Sequence, residues 1–93
     1  MKEIYLDNGA TTRPSERVVA KMTQVLTEAY GNPSSLHRKG QQAEKYVEEA
    51  RRTIARYLGV DSVTLYFTSG GTECSNTAIL GAAQKNARRG RHI

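Results

Sequence analysis

The segment that most limits how this chain can fold is the glycine turn, residues 68–72 (TSGGT), which lies between a short apolar run and a segment with helical spacing. The run before it, residues 63–67 (VTLYF), is rich in β-branched and aromatic residues, which is typical of a strand. After it, apolar residues recur at spacings of three and four: Ala78, Ile79, Ala82 and Ala83. The sequence therefore predicts a strand, a tight turn and a helix that begins near two consecutive glycines.

A helix that begins at such a turn offers unpaired backbone N–H groups and the positive end of its dipole to an anion. Gly70 and Gly71 lack the Cβ atoms that would keep an anion away from those groups. Hydroxyl groups in the same turn add donors: Thr68, Ser69 and Thr72. From this pattern alone, an anion site and an ordinary capped turn are equally good interpretations. An anion here should be a single phosphate monoester, because Glu73 and Cys74 stand where a nucleotide P-loop has Lys followed by Ser or Thr.

Two helices and a further short strand are predicted upstream of the glycine turn. Residues 4–6 form a short apolar run closed by a turn signal. Ser15 is a good N-cap for a first helix, which Gly31 should end in the left-handed cap position. A second helix should begin between residues 35 and 42 and end at Gly59. The predicted order is strand, helix, helix, strand, helix.

This order indicates an α/β class, yet a βαβ unit needs a second strand beside the first. Residues 91–93 would suit the start of such a strand, and the chain stops there. We therefore expect a mostly helical fragment of a longer protein, with one or two short strands.

Three segments, taken together, resemble the cysteine desulfurases of the class V aminotransferase group. They are YLDNGATT at residues 5–12, YGNPSSLH at residues 30–37 and FTSGGTECSN at residues 67–76, where the family more often has Ala at position 71. The resemblance covers essentially the whole chain. It implies the N-terminal portion of a fold-type I pyridoxal-phosphate-dependent transferase.

The same resemblance implies a domain plan and a set of site residues. Residues 1–14 would be an arm of the small domain, residues 15–60 two helices, and residues 61–93 the truncated start of the large cofactor-binding domain. Gly71 and Thr72 would hold the phosphate of the cofactor through backbone N–H groups and a hydroxyl. Five residues would lie near the mouth of the active site: Asn8, Ala10, Thr11, Asn32 and His37.

No residue of this chain matches a catalytic position or a metal ligand of the family. The lysine that carries the cofactor, the acid that pairs with its pyridine nitrogen and the persulfide cysteine belong to parts of the family's chain that follow this segment. Cys74 is therefore expected to be structural, and His92 to have no catalytic role. The 93-residue chain by itself is expected to be inactive.

For the full-length protein, the resemblance implies removal of sulfur from L-cysteine, which leaves L-alanine and an enzyme-bound persulfide. The sulfur would pass to an acceptor or scaffold protein for iron–sulfur cluster assembly or tRNA thiolation, and the enzyme would be a homodimer. A selenocysteine lyase and another class V aminotransferase are the alternatives within the same family.

Charge and cysteine content bear on the other classes of protein. The net charge is +5, with cations mostly scattered along the helices and crowded only in residues 85–91. Without interleaved aromatics this argues against nucleic-acid binding, although a small basic RNA-binding module stays the alternative from another class. A single cysteine and the lack of a long apolar run predict a cytoplasmic chain with no membrane partner. A third possibility is that the chain folds only by pairing with a second copy.

Overall fold

The computed structural model describes residues 1–92, which contain three α-helices and one 3₁₀ turn. The helices are α1 (Glu16–Glu28), α2 (Arg38–Leu58) and α3 (Gly71–Asn86), and the 3₁₀ turn (Ser62–Thr64) lies between α2 and α3. The chain divides into two compact units, Met1–Thr53 and Ile54–Ile93, with the boundary inside α2. The domain plan implied by the resemblance stays a prediction.

Helix α1 begins where the sequence predicts and ends differently. The N–H of Val18 donates to the Ser15 hydroxyl oxygen at 3.4 Å, which confirms Ser15 as the N-cap. The helix ends at Glu28, and among the described residues only Gly59 has a φ in the left-handed region. The predicted left-handed cap at Gly31 is therefore wrong.

Helix α2 ends at Leu58, and Gly59 terminates it, as predicted. Gly59 has a φ of 68°, the left-handed conformation that glycine adopts without steric cost. Its N–H donates to the carbonyl of Arg56 at 3.3 Å, and the N–H of Val60 donates to the carbonyl of Ala55 at 3.0 Å. These two bonds form a Schellman motif, which satisfies carbonyl groups that the helix end leaves unpaired.

Gly31 and Gly40 instead let the connection between α1 and α2 pack backbone against backbone. A Cβ at Gly31 would lie 2.3 Å from the carbonyl oxygen of Lys39, and a Cβ at Gly40 would lie 2.1 Å from that of Ser35. Lys39 ties the connection to α1, because its Nζ donates to the Glu28 carbonyl at 2.9 Å. The same Nζ lies 4.9 Å from the centre of the Tyr30 ring, a cation–π distance. The α1–α2 connection is thus fixed by close contacts rather than by a helix cap at Gly31.

Neither predicted strand is present, since no residue in the range 1–92 is assigned to a strand. A strand is stabilised by a ladder of hydrogen bonds to a neighbouring strand. In residues 63–67, the first residues form hydrogen bonds to nearby Asp61 instead. The Asp61 carboxylate accepts from the N–H of Val63 at 3.1 Å, and the Asp61 carbonyl accepts from the Thr64 hydroxyl at 2.7 Å. These bonds form the 3₁₀ turn, and the backbone becomes extended only at Leu65. The predicted start of a strand at residues 91–93 reaches Ile93, outside the described residues, and Arg91 and His92 lie in no helix or strand.

The hydrophobic core of the described chain is very small. Its buried hydrophobic residues are three alanines: Ala29, Ala43 and Ala55. Larger apolar side chains stay exposed, including Leu26 at 71%. None of the described helices combines the length and the apolar character that a membrane crossing needs. Burial of large apolar side chains therefore contributes little to the stability of the described chain.

Candidate functional site

The N-terminus of α3 presents backbone donors that no side chain caps. Gly70 is the N-cap residue and has an extended backbone, and the first helical hydrogen bond runs from the N–H of Cys74 to the Gly70 carbonyl at 3.1 Å. The N–H groups of Gly71, Thr72 and Glu73 precede that bond, so they lie outside the hydrogen-bond ladder of the helix. They share the positive end of the helix dipole, which attracts anions.

There is open space where a side chain would stand on either glycine of the turn. A Cβ built on Gly70 or on Gly71 would meet no atom of the described chain within 4 Å. An alanine at position 71, which the resemblance makes the commoner residue, would therefore fit. Together with the Thr72 hydroxyl, the free N–H groups form a donor set that suits a phosphate monoester. The geometry thus agrees with the anion interpretation of the glycine turn.

Two other hydroxyl groups of the turn are already bonded within the chain. The Thr68 hydroxyl donates to the Gly70 carbonyl at 3.2 Å. The carboxylate oxygen Oε2 of Glu73 accepts from the Ser69 hydroxyl at 2.5 Å and from the Ser69 N–H at 2.7 Å. Of these two bonds, the hydroxyl bond lowers the pKa of Glu73 more than the N–H bond does. This contact was not predicted; its signal in the sequence is a Ser and a Glu four residues apart, one more than in a capping box.

Asn8, Ala10 and Thr11, predicted near the site, lie in one tight turn. The N–H groups of Ala10 and Thr11 donate to the Asp7 carbonyl at 3.1 and 3.4 Å. The Asn8 side chain donates to the Tyr5 carbonyl at 3.4 Å. The structure thus brings these three residues together, as a hydrogen-bonded turn, and assigns them no ligand.

Asn32 and His37 lie together in the α1–α2 connection. The Asn32 side-chain oxygen accepts from the N–H of Ser34 at 3.0 Å, and its carbonyl accepts from the N–H of Ser35 at 3.0 Å. His37 caps α2, because its Nδ1 accepts from the N–H of Gly40 at 3.3 Å and its carbonyl accepts from the N–H of Gln41 at 3.1 Å. In this arrangement the imidazole carries its proton on Nε2, which leaves that N–H as a donor toward solvent or a ligand.

Replacing His37 with alanine should lower the stability of the chain by about 1 kcal/mol, because α2 loses a side-chain cap. His37→Asn should restore most of the loss, since asparagine is among the best N-cap residues. Urea unfolding followed by helical circular dichroism measures both, with His92→Ala as the control at the other histidine. An alanine variant as stable as the parent chain would show that the cap contributes nothing.

The structure does not bring the remaining candidate residues of the described chain together into a site. Cys74 is exposed on the first turn of α3. Among the described residues, no group of three or more His, Cys, Asp or Glu side chains could hold a metal ion. The basic residues of the C-terminal segment follow or end α3: Lys85, Arg88, Arg89 and Arg91.

Comparison with known proteins gives the family. Cysteine desulfurase IscS of Haemophilus ducreyi is 50% identical over 93 residues, covering 97% of this chain and 23% of that protein. Cysteine desulfurase IscS of Dictyoglomus turgidum is 45% identical over 92 residues, covering 99% of this chain and 23% of that protein. The NifS/IcsS protein homolog of Lactobacillus delbrueckii subsp. bulgaricus is 47% identical over 90 residues, covering 97% of this chain and again 23% of the relative.

The chain therefore spans 23% of the length of these curated relatives. No solved structure matches it. The profile of the family described as aminotransferase class-V matches residues 4–93, which is nearly all of the sequence. The chain belongs to the class V aminotransferase family.

Proposed function

We propose that this chain is the N-terminal segment of a pyridoxal-phosphate-dependent cysteine desulfurase, in which Gly71 and Thr72 hold the phosphate of the cofactor. The observation that carries the proposal is the uncapped N-terminus of α3, with open space over both glycines, in a chain whose relatives are named cysteine desulfurases. The N-cap residue Gly70 makes no side-chain hydrogen bond to the helix, so the first N–H groups of α3 remain for a ligand.

Gly71 and Thr72 would both bind the phosphate group of the cofactor. The N–H groups of Gly71 and Thr72 and the Thr72 hydroxyl would donate to phosphate oxygens, and the helix dipole would favour their charge. When bound, pyridoxal phosphate supplies the electron sink that stabilises negative charge developing on the substrate. Neighbours of the same active site would come from two segments of this chain: Asn8, Ala10, Thr11, Asn32 and His37.

The chemistry itself would be carried out by residues outside this chain. Two of its five lysines have structural contacts: Lys39 with the Glu28 carbonyl, and Lys21, whose Nζ lies 4.8 Å from the centre of the Tyr46 ring. The whole protein would convert L-cysteine to L-alanine, leave the sulfur as a persulfide on an enzyme cysteine and pass it to an acceptor or scaffold protein. It would act as a cytoplasmic homodimer, and iron–sulfur cluster assembly or tRNA thiolation would use the sulfur.

A chimera tests this function. This chain would replace the matching N-terminal segment of the Haemophilus ducreyi cysteine desulfurase, to which it is 50% identical. The chimera should release sulfide from L-cysteine in the presence of a reductant, whereas the 93-residue chain alone should release none. A chimera that folds and binds the cofactor but acts on L-selenocysteine or a keto acid, and not on L-cysteine, would contradict the proposed substrate.

Within the chimera, Thr72→Ala should weaken pyridoxal phosphate binding roughly tenfold, the size of a lost hydrogen bond to a charged group. Binding of pyridoxal, which has no phosphate, should stay unchanged. Thr77→Ala, the same change further along α3, is the matched control. Equal cofactor affinity in the Thr72 and Thr77 variants would remove Thr72 from the phosphate site.

A further inference from the structure

The side chain of Glu73, in the first turn of α3, forms hydrogen bonds with the glycine turn. Its Oε2 accepts from both the N–H and the hydroxyl of Ser69, at 2.7 and 2.5 Å. On the other side of the turn, the Thr68 hydroxyl donates to the Gly70 carbonyl at 3.2 Å. Two side chains thus fix the backbone over Gly70 and Gly71, which have no side chains with which to fix it themselves. We call the Ser69–Glu73 contact the clasp.

The clasp leaves the helix donors free. A glutamate in the first turn of a helix commonly turns back to bond an N–H at the N-cap. Here the carboxylate reaches one residue further, to Ser69, and it occupies neither the N–H of Gly71 nor that of Thr72. The hydrogen bonds from Ser69 lower the pKa of the Glu73 carboxyl, so it is ionised at neutral pH.

An ionised carboxylate beside an anion site has two opposite effects. It repels a bound phosphate, but the side chain is exposed, and water and salt screen such repulsion strongly. It also orders a turn that contains two glycines, the residue that loses most conformational freedom when it is fixed. Ordering the turn before the ligand arrives removes that cost from binding. The ordering effect should therefore exceed the repulsion.

We propose that Glu73 is a positioning residue for the phosphate site: through the clasp it orders the glycine turn, where the N–H groups of Gly71 and Thr72 would bind a phosphate monoester. This inference rests on the proposed function of those two residues. It assigns Glu73 no contact with the ligand.

The clasp itself can be tested without a ligand. In the ¹⁵N-labelled chain, the amide proton of Ser69 should shift as the pH falls, with a midpoint below the ordinary value for glutamate, because it donates to the titrating carboxylate. Glu73→Gln should abolish that shift. An unchanged Ser69 titration in the Glu73→Gln variant would overturn the clasp.

The positioning role is tested by titrating the same chain with inorganic phosphate and following the amide signals of Gly71 and Thr72. Glu73→Gln should weaken phosphate binding about fivefold, the size of a lost helix-cap interaction. Ser69→Ala should weaken it to a similar extent, and the double variant should be no weaker than either single one, because both act through one contact. Glu49→Gln makes the same change of charge on α2 and should leave the affinity unchanged.

The two hypotheses fail in different ways. If the parent chain gives no phosphate-dependent shift at Gly71 or Thr72, the proposed phosphate site is wrong and the inference falls with it. If the parent chain binds phosphate and Glu73→Gln binds it equally or more tightly, repulsion equals or exceeds ordering. The phosphate site then stands and the positioning role is overturned.

Discussion

Replacing Gly40 with alanine should destabilise the Met1–Thr53 unit by about 2 kcal/mol, within the range of overpacking substitutions. The new Cβ would lie 2.1 Å from the Ser35 carbonyl oxygen and 2.7 Å from the Asn32 carbonyl oxygen. Both are backbone atoms, so the connection between α1 and α2 must move to make room. Against this cost stands a gain of up to about 1 kcal/mol, because alanine is the better helix former. The clash should outweigh the gain.

Gly81→Ala is the matched control for this prediction. Gly81 lies inside α3, and a Cβ there would meet no described atom within 4 Å. The same chemical change should therefore stabilise α3 by up to about 1 kcal/mol. Urea unfolding monitored by helical circular dichroism compares the two variants. If Gly40→Ala proves as stable as Gly81→Ala, the close contact at Gly40 does not constrain the fold.

The glycines show how far sequence reasoning reaches in this chain. Gly59 follows a long amphipathic segment, so its left-handed conformation at the end of α2 could be predicted from local signals alone. Gly31 has the same local context after α1, yet it is needed for an approach to Lys39, eight residues away in sequence. Only the packing of the α1–α2 connection distinguishes these two uses of glycine.

The strands fail for a related reason. Residues 63–67 have the composition of a strand, but a strand forms when a neighbour completes its hydrogen-bonded ladder, and no residue in the range 1–92 is assigned to a strand. Instead, the side chain of Asp61 caps a 3₁₀ turn, which takes up the first residues of this segment. The composition of residues 63–67 indicates that they could form a strand within a sheet, but it does not decide which structure they adopt in this chain.

The start of α3 at the glycine turn was predictable from the sequence, because a helix start and its unpaired donors follow from local signals. The phosphate site at Gly71 and Thr72 stays a prediction. The clasp was not predicted, since a side chain can bond any of several nearby donors. That choice depends on the backbone path through the two glycines.

The second large effect concerns the surface of the whole chain. Its accessible area is 8949 Å². A compact monomer of this mass, 10.3 kDa, would expose about 5,400 Å², and the unfolded chain about 15,000 Å². Folding to this structure therefore buries only about two-thirds of the area that a compact domain of equal mass buries. Apolar side chains account for part of the excess, among them Leu36 at 92% and Tyr66 at 81% exposure.

The heat-capacity change of unfolding should report this deficit, because it scales with the surface exposed. We expect about 0.8 kcal/mol/K for the monomeric chain, against about 1.2 for a compact domain of this length. The urea m-value should fall in the same proportion, and an apolar dye should bind before unfolding. Sedimentation in the same buffer gives the mass, which matters because pairing with a second copy would hide the excess area and raise both quantities. A monomer that shows the full heat-capacity change and binds no dye would contradict the exposed apolar surface. A monomer with the reduced value that binds the dye would confirm that these apolar side chains are exposed to water in solution.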